Sequence, residues 1–409
     1  MGKRAELVPV QSSSWNRNVK FLSAIAAGLA WAMLVGCGDV YRPVANPILK
    51  PGGDPQSTHV AVVLSNNSGS PGTAASIDIS GDTNIGNFAV GRGPVQGAFS
   101  VNSVVMFVAN KGDDTVATFT PLSQGSPVTT ITLPSGSAPA FVASTEVAFM
   151  YVANSGTNTV GEISTITGSE QAEIPVGRTP VALAETPDGT KLFCANQGDG
   201  TVSVINPPTR SVIATIPVGS LPSAIVVNSD SKTVYVANQG SGTITAIDVA
   251  SNSVIATVAS GAAPGFMIFD SRYRRLYVAN TGSNTISVFN ADIGLSLIKT
   301  VTVGAGPASI APLPDGTRIY VANAGCSDAI NLAGCSGNTL SEIDAVSLAV
   351  RKTITVGNTP VFLAADPGST KVVVANRDSN TISSIKTSDD SIITIPAGAP
   401  QPTFVVVSQ

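Results

Sequence analysis

The chain of 409 residues has one histidine, His59, and two tryptophans, Trp15 and Trp31. A single histidine excludes a His-based catalytic triad and a multi-histidine copper or zinc centre. No Cys-x-x-Cys-His run occurs, so covalent c-type haem is excluded too. Charged side chains make up only 12% of the chain, with a formal net charge of −4. Lys3, Arg4, Arg17, Lys20 and Glu6 give the first 36 residues +3, which leaves −7 on the remainder. Such a weakly acidic, charge-poor body carries no footprint for nucleic acid or an anionic membrane. Glycine-rich segments such as Gly198–Gly200 lack a following helix, so they are not phosphate loops. No run has the length and caps of a typical globular helix.

What the chain has is repetition. A Val-Ala-Asn or Cys-Ala-Asn strand ending recurs seven times, at Asn110, Asn154, Asn196, Asn238, Asn280, Asn323 and Asn376, with steps of 44, 42, 42, 42, 43 and 53 residues. A fixed period in this range means one supersecondary unit built repeatedly. The copy from Arg178 to Gly219 holds four short apolar runs. They are separated by Pro187-Asp188-Gly189, by Gln197–Gly200 and by Asn206-Pro207-Pro208, all turn-forming segments. This reads as an antiparallel four-stranded meander. Runs such as Thr233–Ala237 and Thr285–Phe289 are apolar on both faces, so each sheet must lie between two others. Radial stacking of blades supplies that arrangement and leaves only short, protected edges. The fold class is therefore all-β, a β-propeller.

The tetrapeptides Tyr151–Asn154, Tyr235–Asn238, Tyr277–Asn280 and Tyr320–Asn323, with following Asn-Thr-Val/Ile steps such as Asn158-Thr159-Val160 and Asn284-Thr285-Ile286, resemble the YVTN β-propeller repeat family, with Ala in the place of its Thr. The Trp-Asp and Gly-His marks of the similarly spaced WD40 repeat are absent. The resemblance implies four-stranded blades over nearly all of the mature chain. Some propellers similar to this family act on sugar lactones, which makes a lactonase-like hydrolase the alternative activity.

An eighth, degenerate copy of the second strand is His59–Asn66, and the first strand follows Pro94, Pro139, Pro180, Pro222, Pro264, Pro307, Pro360 and Pro402. The chain thus opens with strands two to four of a blade and closes with a lone first strand, Phe404–Ser408. We expect eight blades, closed by pairing this C-terminal strand with the N-terminal blade. Seven blades would leave both end segments without a sheet partner, at the cost of buried, unpaired backbone.

Residues 1–36 read as a lipoprotein signal peptide: a basic leader, then the apolar run Phe21–Val35, short for a membrane span. Leu34-Val35-Gly36-Cys37 looks like a bacterial lipobox, which implies lipid on Cys37. Residues 37–57, with Pro43, Pro47, Pro51, Pro55 and Gly52-Gly53, read as a flexible tether, and 58–409 as a single propeller domain. The expected location is the bacterial cell envelope, lipid-anchored, at the outer membrane of a two-membrane host. Contact with the membrane is expected through the anchor only.

Cys326 and Cys335 fall in the one large insertion, 324–337; export through an oxidising compartment makes them a disulfide pair. Cys194 takes a strand Val position and reads as a buried, inert thiol. Asp113, Asp114, Asp199, Asp378, Asp389 and Asp390 carry oxygen ligands of the kind calcium takes. Asp in turns ordinarily bonds local backbone instead, so no metal and no cofactor is expected. The repeated Asn reads as a structural pin for the turn it opens. Sites belong where copies differ. In the Gly-x-x-Pro connections the variable residue is charged only at Arg92 and Arg178, which makes this pair the candidate ligand-binding site for an anion. Lys111 and Arg377 lie in neighbouring turns. Taken together, the residues point to a monomeric binding or scaffold module for an envelope protein or glycan, leaning away from catalysis.

Overall fold

A computed structural model of the chain describes residues 59–408, apart from 68–69, 101–102, 124, 145–147, 293 and 327–333. The signal segment, the tether and Cys37 lie outside the described residues.

Eight four-stranded antiparallel sheets form the eight blades of a propeller. Numbered along the chain, blade 1 holds residues 60–92 and 402–407, blade 2 94–132, blade 3 139–175, and blade 4 180–217. Blade 5 holds 222–259, blade 6 264–302, blade 7 307–355 and blade 8 360–396. In each, the strand that follows the recurrent proline is innermost. The proline sits at the head of its strand, where a missing N–H costs least. The register then shifts, as between Pro180 and Ala182 or Pro264 and Phe266.

The second strands are buried almost throughout, as at Thr233–Asn238 and Arg275–Asn280. Outer strands alternate exposed and covered positions, as at Ser211–Pro217. That difference follows from stacking: inner strands have a sheet on either side, while the outermost strand splays into solvent. Tyr151, Tyr235, Tyr277 and Tyr320 are among the largest fully buried side chains. The Tyr235 hydroxyl donates to the Ala291 carbonyl of the next blade at 2.7 Å, and burial pushes its pKa up to about 12.

The C-terminal strand closes the ring. Pro402–Val407 pairs antiparallel with Val60–Ser65, placing Phe404 opposite Leu64 and Val407 opposite Ala61. The Ser408 N–H donates to the Val60 carbonyl at 2.8 Å and the Val60 N–H to Ser408 Oγ at 2.9 Å. Blade 1 is therefore as complete as the other seven.

Side chains tie adjacent blades along one side of the ring. Lys191, Arg275, Arg318 and Lys371 each stand near the start of a second strand. They donate to the carbonyls of Val249, Ala345, Thr387 and Ile79 in the next blade. At the closing seam Lys371 also pairs with Asp82 at 2.6 Å, both side chains nearly buried. Near the axis Phe362 packs against Phe404 at 4.5 Å with the rings tilted by 47°, and meets the edge of Phe266 at 5.6 Å. These rings come from the innermost strands of blades 8, 1 and 6.

Candidate functional site

The blade-to-blade connections and the second-to-third-strand turns open on one face, here called the upper face. The Lys111 N–H donates to the Gly93 carbonyl at 2.9 Å, and the Gln197 N–H to the Thr179 carbonyl at 2.9 Å. Each blade's turn is thus bonded to the connection that enters the same blade.

The recurrent asparagine is the centre of this arrangement. All seven are 0–1% exposed. Asn196 Nδ2 donates to Thr201 Oγ1 at 3.1 Å and Ser203 Oγ at 2.9 Å, and the same pair of bonds forms at Asn238, Asn280, Asn323 and Asn376. The turn is pinned, as its sequence position suggests. The connection glycine serves the same residue. A Cβ on Gly177, Gly261 or Gly304 would fall 2.5–2.9 Å from the side chain of Asn196, Asn280 or Asn323. Gly and Asn stand 19 residues apart in six copies, a signal readable in the sequence once both are aligned.

The residue before each proline is left-handed. Ala138, Thr179, Leu221, Ala263, Thr359 and Gln401 have φ between 43° and 55°, a conformation that costs about 1–2 kcal/mol for an L-residue. Turn side chains from the preceding blade hold several of them. Thr179 N–H donates to Asn158 Oδ1 at 2.9 Å, Gln401 N–H to Asn380 Oδ1 at 2.8 Å, and Ala138 N–H to Asp114 Oδ1 at 2.7 Å.

The rim carboxylates are committed in the same way. Asp113 accepts from the Arg92 N–H at 2.8 Å and from Thr115 Oγ1 at 2.8 Å. Asp114 Oδ2 accepts from the Gly136 N–H at 2.7 Å. Asp378 accepts from Thr359 Oγ1 at 2.6 Å. Asp199 accepts from the Arg178 N–H at 2.6 Å and from Arg178 Nε at 2.5 Å. The Arg178 backbone N–H, then its guanidinium, hold the Asp199 carboxyl below its usual range. With these oxygens turned toward structural donors, Asp113, Asp114, Asp199 and Asp378 act as turn formers. Among the described residues no three His, Cys, Asp or Glu side chains converge on one point.

The two candidate arginines therefore differ. Arg178 is exposed but its fork is tied to Asp199 and, at 3.2 Å, to the Gly198 carbonyl. Arg92 is exposed, and no described carboxylate pairs with its guanidinium. They sit at the entries to blades 4 and 2, with the Ser137 connection between them, so they are not a single clamp. Lys111 is exposed beside Arg92, while Arg377 is largely covered and lies 3.6 Å from Asp378. Cys326 and Cys335 form the expected disulfide, with Cα atoms 4.5 Å apart. Cys326 is buried against Gly306 of the blade 7 connection, on this same face. Cys194 is free and fully buried, and burial raises its thiol pKa far beyond the physiological range.

The family model described as "Lactonase, 7-bladed beta-propeller" matches residues 106–303 and 255–392. The chain belongs to this lactonase propeller family. The two matched stretches overlap, and this member has eight blades where the family description has seven. No curated protein matches the chain. Among solved structures it is similar to a dihydro-heme d1 dehydrogenase, at 13% identity and TM-score 0.69, covering 91% of this chain and 80% of that one. It is similar to a candidate 6-phosphogluconolactonase of Bacteroides fragilis, at 17% identity and TM-score 0.57, covering 88% and 100%. Hydrazine synthase of Kuenenia stuttgartiensis aligns at 18% identity and TM-score 0.58, covering 73% and 96%. At these identities the likeness is one of fold.

One titratable group stands apart from the rim. Glu170, on the outer strand of blade 3, has its pKa raised from 4.5 to about 7, by burial first and by the charge of Glu173 second. Its Oε1 lies 2.6 Å from where a Cβ on Gly161 would be. Other copies put Ser203, Thr245, Ser287, Ser341 or Ser383 there, so the lone glycine was the available clue. In the folded state this acid keeps its proton between pH 4.5 and about 7, while the unfolded chain releases it. Stability should therefore fall as pH rises through that window and level off above it. Glu170→Gln should match the parent near pH 4.5 and exceed it at pH 8, by about 1 kcal/mol once solvent screening is allowed for. Paired thermal melts at the two pH values check this; equal gains at both would refute it.

Proposed function

We propose that this chain is a non-catalytic binding module of the bacterial cell envelope, anchored through lipid on Cys37, whose upper face holds an anionic glycan or protein. The supporting observation is the division of charge on that face. Asp113, Asp114, Asp199 and Asp378 spend their oxygens on backbone and hydroxyl donors. The side chains of Arg92 and Lys111 are exposed, and no described carboxylate pairs with either. Exposed cations beside spent carboxylates suit binding an anion and leave no placed group for proton transfer.

Immobilised polygalacturonate serves as the first probe. Arg92→Ala with Lys111→Ala should weaken retention about tenfold, and raised salt should weaken the parent in the same direction. Retention unchanged in the double variant would overturn the cationic rim as the binding determinant.

A second reading is lactone hydrolysis on the same face, favoured by the family match over residues 106–392. Purified chain incubated with gluconolactone and its 6-phosphate decides between them. Turnover above buffer that disappears in Arg92→Ala, Arg178→Ala would make the chain an enzyme.

A further inference from the structure

The exposed apolar side chains are not spread evenly. Fourteen large ones are exposed among the described residues. All but Val95 and Leu221 lie on the lower face or on the lower halves of the outer strands. The lower face carries the first-to-second and third-to-fourth-strand turns. Ile166 is 81% exposed and Val346 67%, each at the tip of a third-to-fourth-strand turn, and Leu122 is 51% exposed in the blade 2 turn beside Ile166. Blades 3 and 7 stand opposite each other in a ring of eight, so Ile166 and Val346 mark the two ends of one diameter.

Two further observations point the same way. The described chain leaves the propeller on this face, because Val60 is bonded to Ser408 at the lower end of blade 1. The described chain thus begins at the lower end of blade 1, and the apolar run Phe21–Val35 and Cys37 belong to the 58 residues before that point. On the same rim, between blades 2 and 3, a cavity of about 430 Å³ is lined by Val105, Phe107, Phe119, Ile131 and Ile166, with hydroxyls such as Thr118, and by no charged side chain. It arises because the outer strand of blade 2, Thr129–Thr132, is the shortest of the eight and starts late. An uncharged cleft with Ile166 in its wall, half of its lining Ser or Thr and the other half mainly apolar, can take an acyl chain.

From these we infer that the lower face rests on the lipid surface, with Ile166, Leu122 and Val346 entering the interfacial layer, a contact additional to the anchor-only one expected from the sequence. The inference rests on the anchored reading above and adds which face the anchor presents. Three such side chains contribute less than one acyl chain, so the contact forms on a tethered domain, where local concentration is high. The upper rim is then turned away from the membrane. The three inserted side chains are apolar, so the contact forms on uncharged lipid and survives salt, while the exposed Lys232, Lys386 and Asp389 of the same face stay in water.

Both tryptophans precede residue 37, which permits a clean reporter. The full chain with Trp15→Phe and Trp31→Phe is made in a lipoprotein-processing bacterium and reconstituted in phosphatidylcholine vesicles. It carries one added tryptophan: Ile166→Trp, Val346→Trp, or Leu221→Trp on the upper face. Flotation reports anchoring, and brominated lipid reports contact. The expected result is co-flotation of all three, with loss of about half the emission at 166 and 346 and none at 221. Flotation without quenching at 166 and 346, or with equal quenching at 221, overturns the inference and leaves anchoring intact. A chain that does not float refutes the anchored reading, and the inference falls with it.

Discussion

A chain ending at Gln401 should no longer melt as a cooperative unit. Truncation removes Phe404, Val405 and Val407, all buried, and each such side chain contributes about 1.5–3 kcal/mol. It also strips the pairing partner from Val60–Ser65, a strand buried at every position. Loss of roughly 6 kcal/mol from burial alone consumes much of the 5–15 kcal/mol a folded domain usually has. Aggregation would follow from the exposed strand edge. A permuted chain separates this effect from mere loss of residues. Residues 402–408 are moved ahead of His59 and joined by a copy of residues 229–231, since Ser408 and His59 already hold the places that Asn228 and Lys232 hold in blade 5. Ser408 and Val60 already exchange hydrogen bonds, so the graft asks for no rearrangement. The permuted chain should melt within a few degrees of the parent, because the entropy of closing the ring through a long chain is a slowly varying term. Truncation without loss of the transition, measured by calorimetry, would refute the clasp.

The clasp was legible because it depends on counting. Seven Ala-Asn endings, a degenerate eighth and eight recurrent prolines imply three strands at one end and one at the other, whatever the side chains do. The disulfide was legible for a similar reason, since Cys326 and Cys335 share one short insertion. What the repeat does not encode is contact between blades. Lys371 and Asp82 are 289 residues apart, and nothing near either announces the other. The rim carboxylates were visible as residues, but their commitment to the Arg92, Gly136 and Arg178 N–H groups appears only when a turn folds against a connection 21 or 22 residues away. For the same reason Arg92 and Arg178 looked alike in sequence and differ in space: one guanidinium is tied to Asp199 and the other is not. Glu170 was missed because its pKa depends on the absence of a side chain at Gly161.

Gly261→Ala should cost about 3 kcal/mol, the upper end of what one added methyl exacts from a packed site. The new Cβ would lie 2.6–2.8 Å from Cγ, Nδ2 and Cβ of Asn280. Asn280 cannot yield, because it is fully buried and bonded to Thr285 at 3.2 Å, Ser287 at 2.9 Å and Ser260 at 2.7 Å. For about 350 residues this loss is a fall of about 4 °C in the melting temperature. Asn280→Ala alone removes those bonds and leaves buried hydroxyls without their partner, for about 2 kcal/mol. The two changes together should cost less than their sum, with a coupling of about 1–3 kcal/mol, because the second removes the atoms the first collides with. Blade 3 already shows the exception that this contact predicts. Its connection is longer, Ser135 stands 19 residues before Asn154, and no glycine is kept at that step. Additive losses in the double variant would mean that the glycine serves its own backbone and not the asparagine. The shared period of Gly and Asn would then have two separate causes.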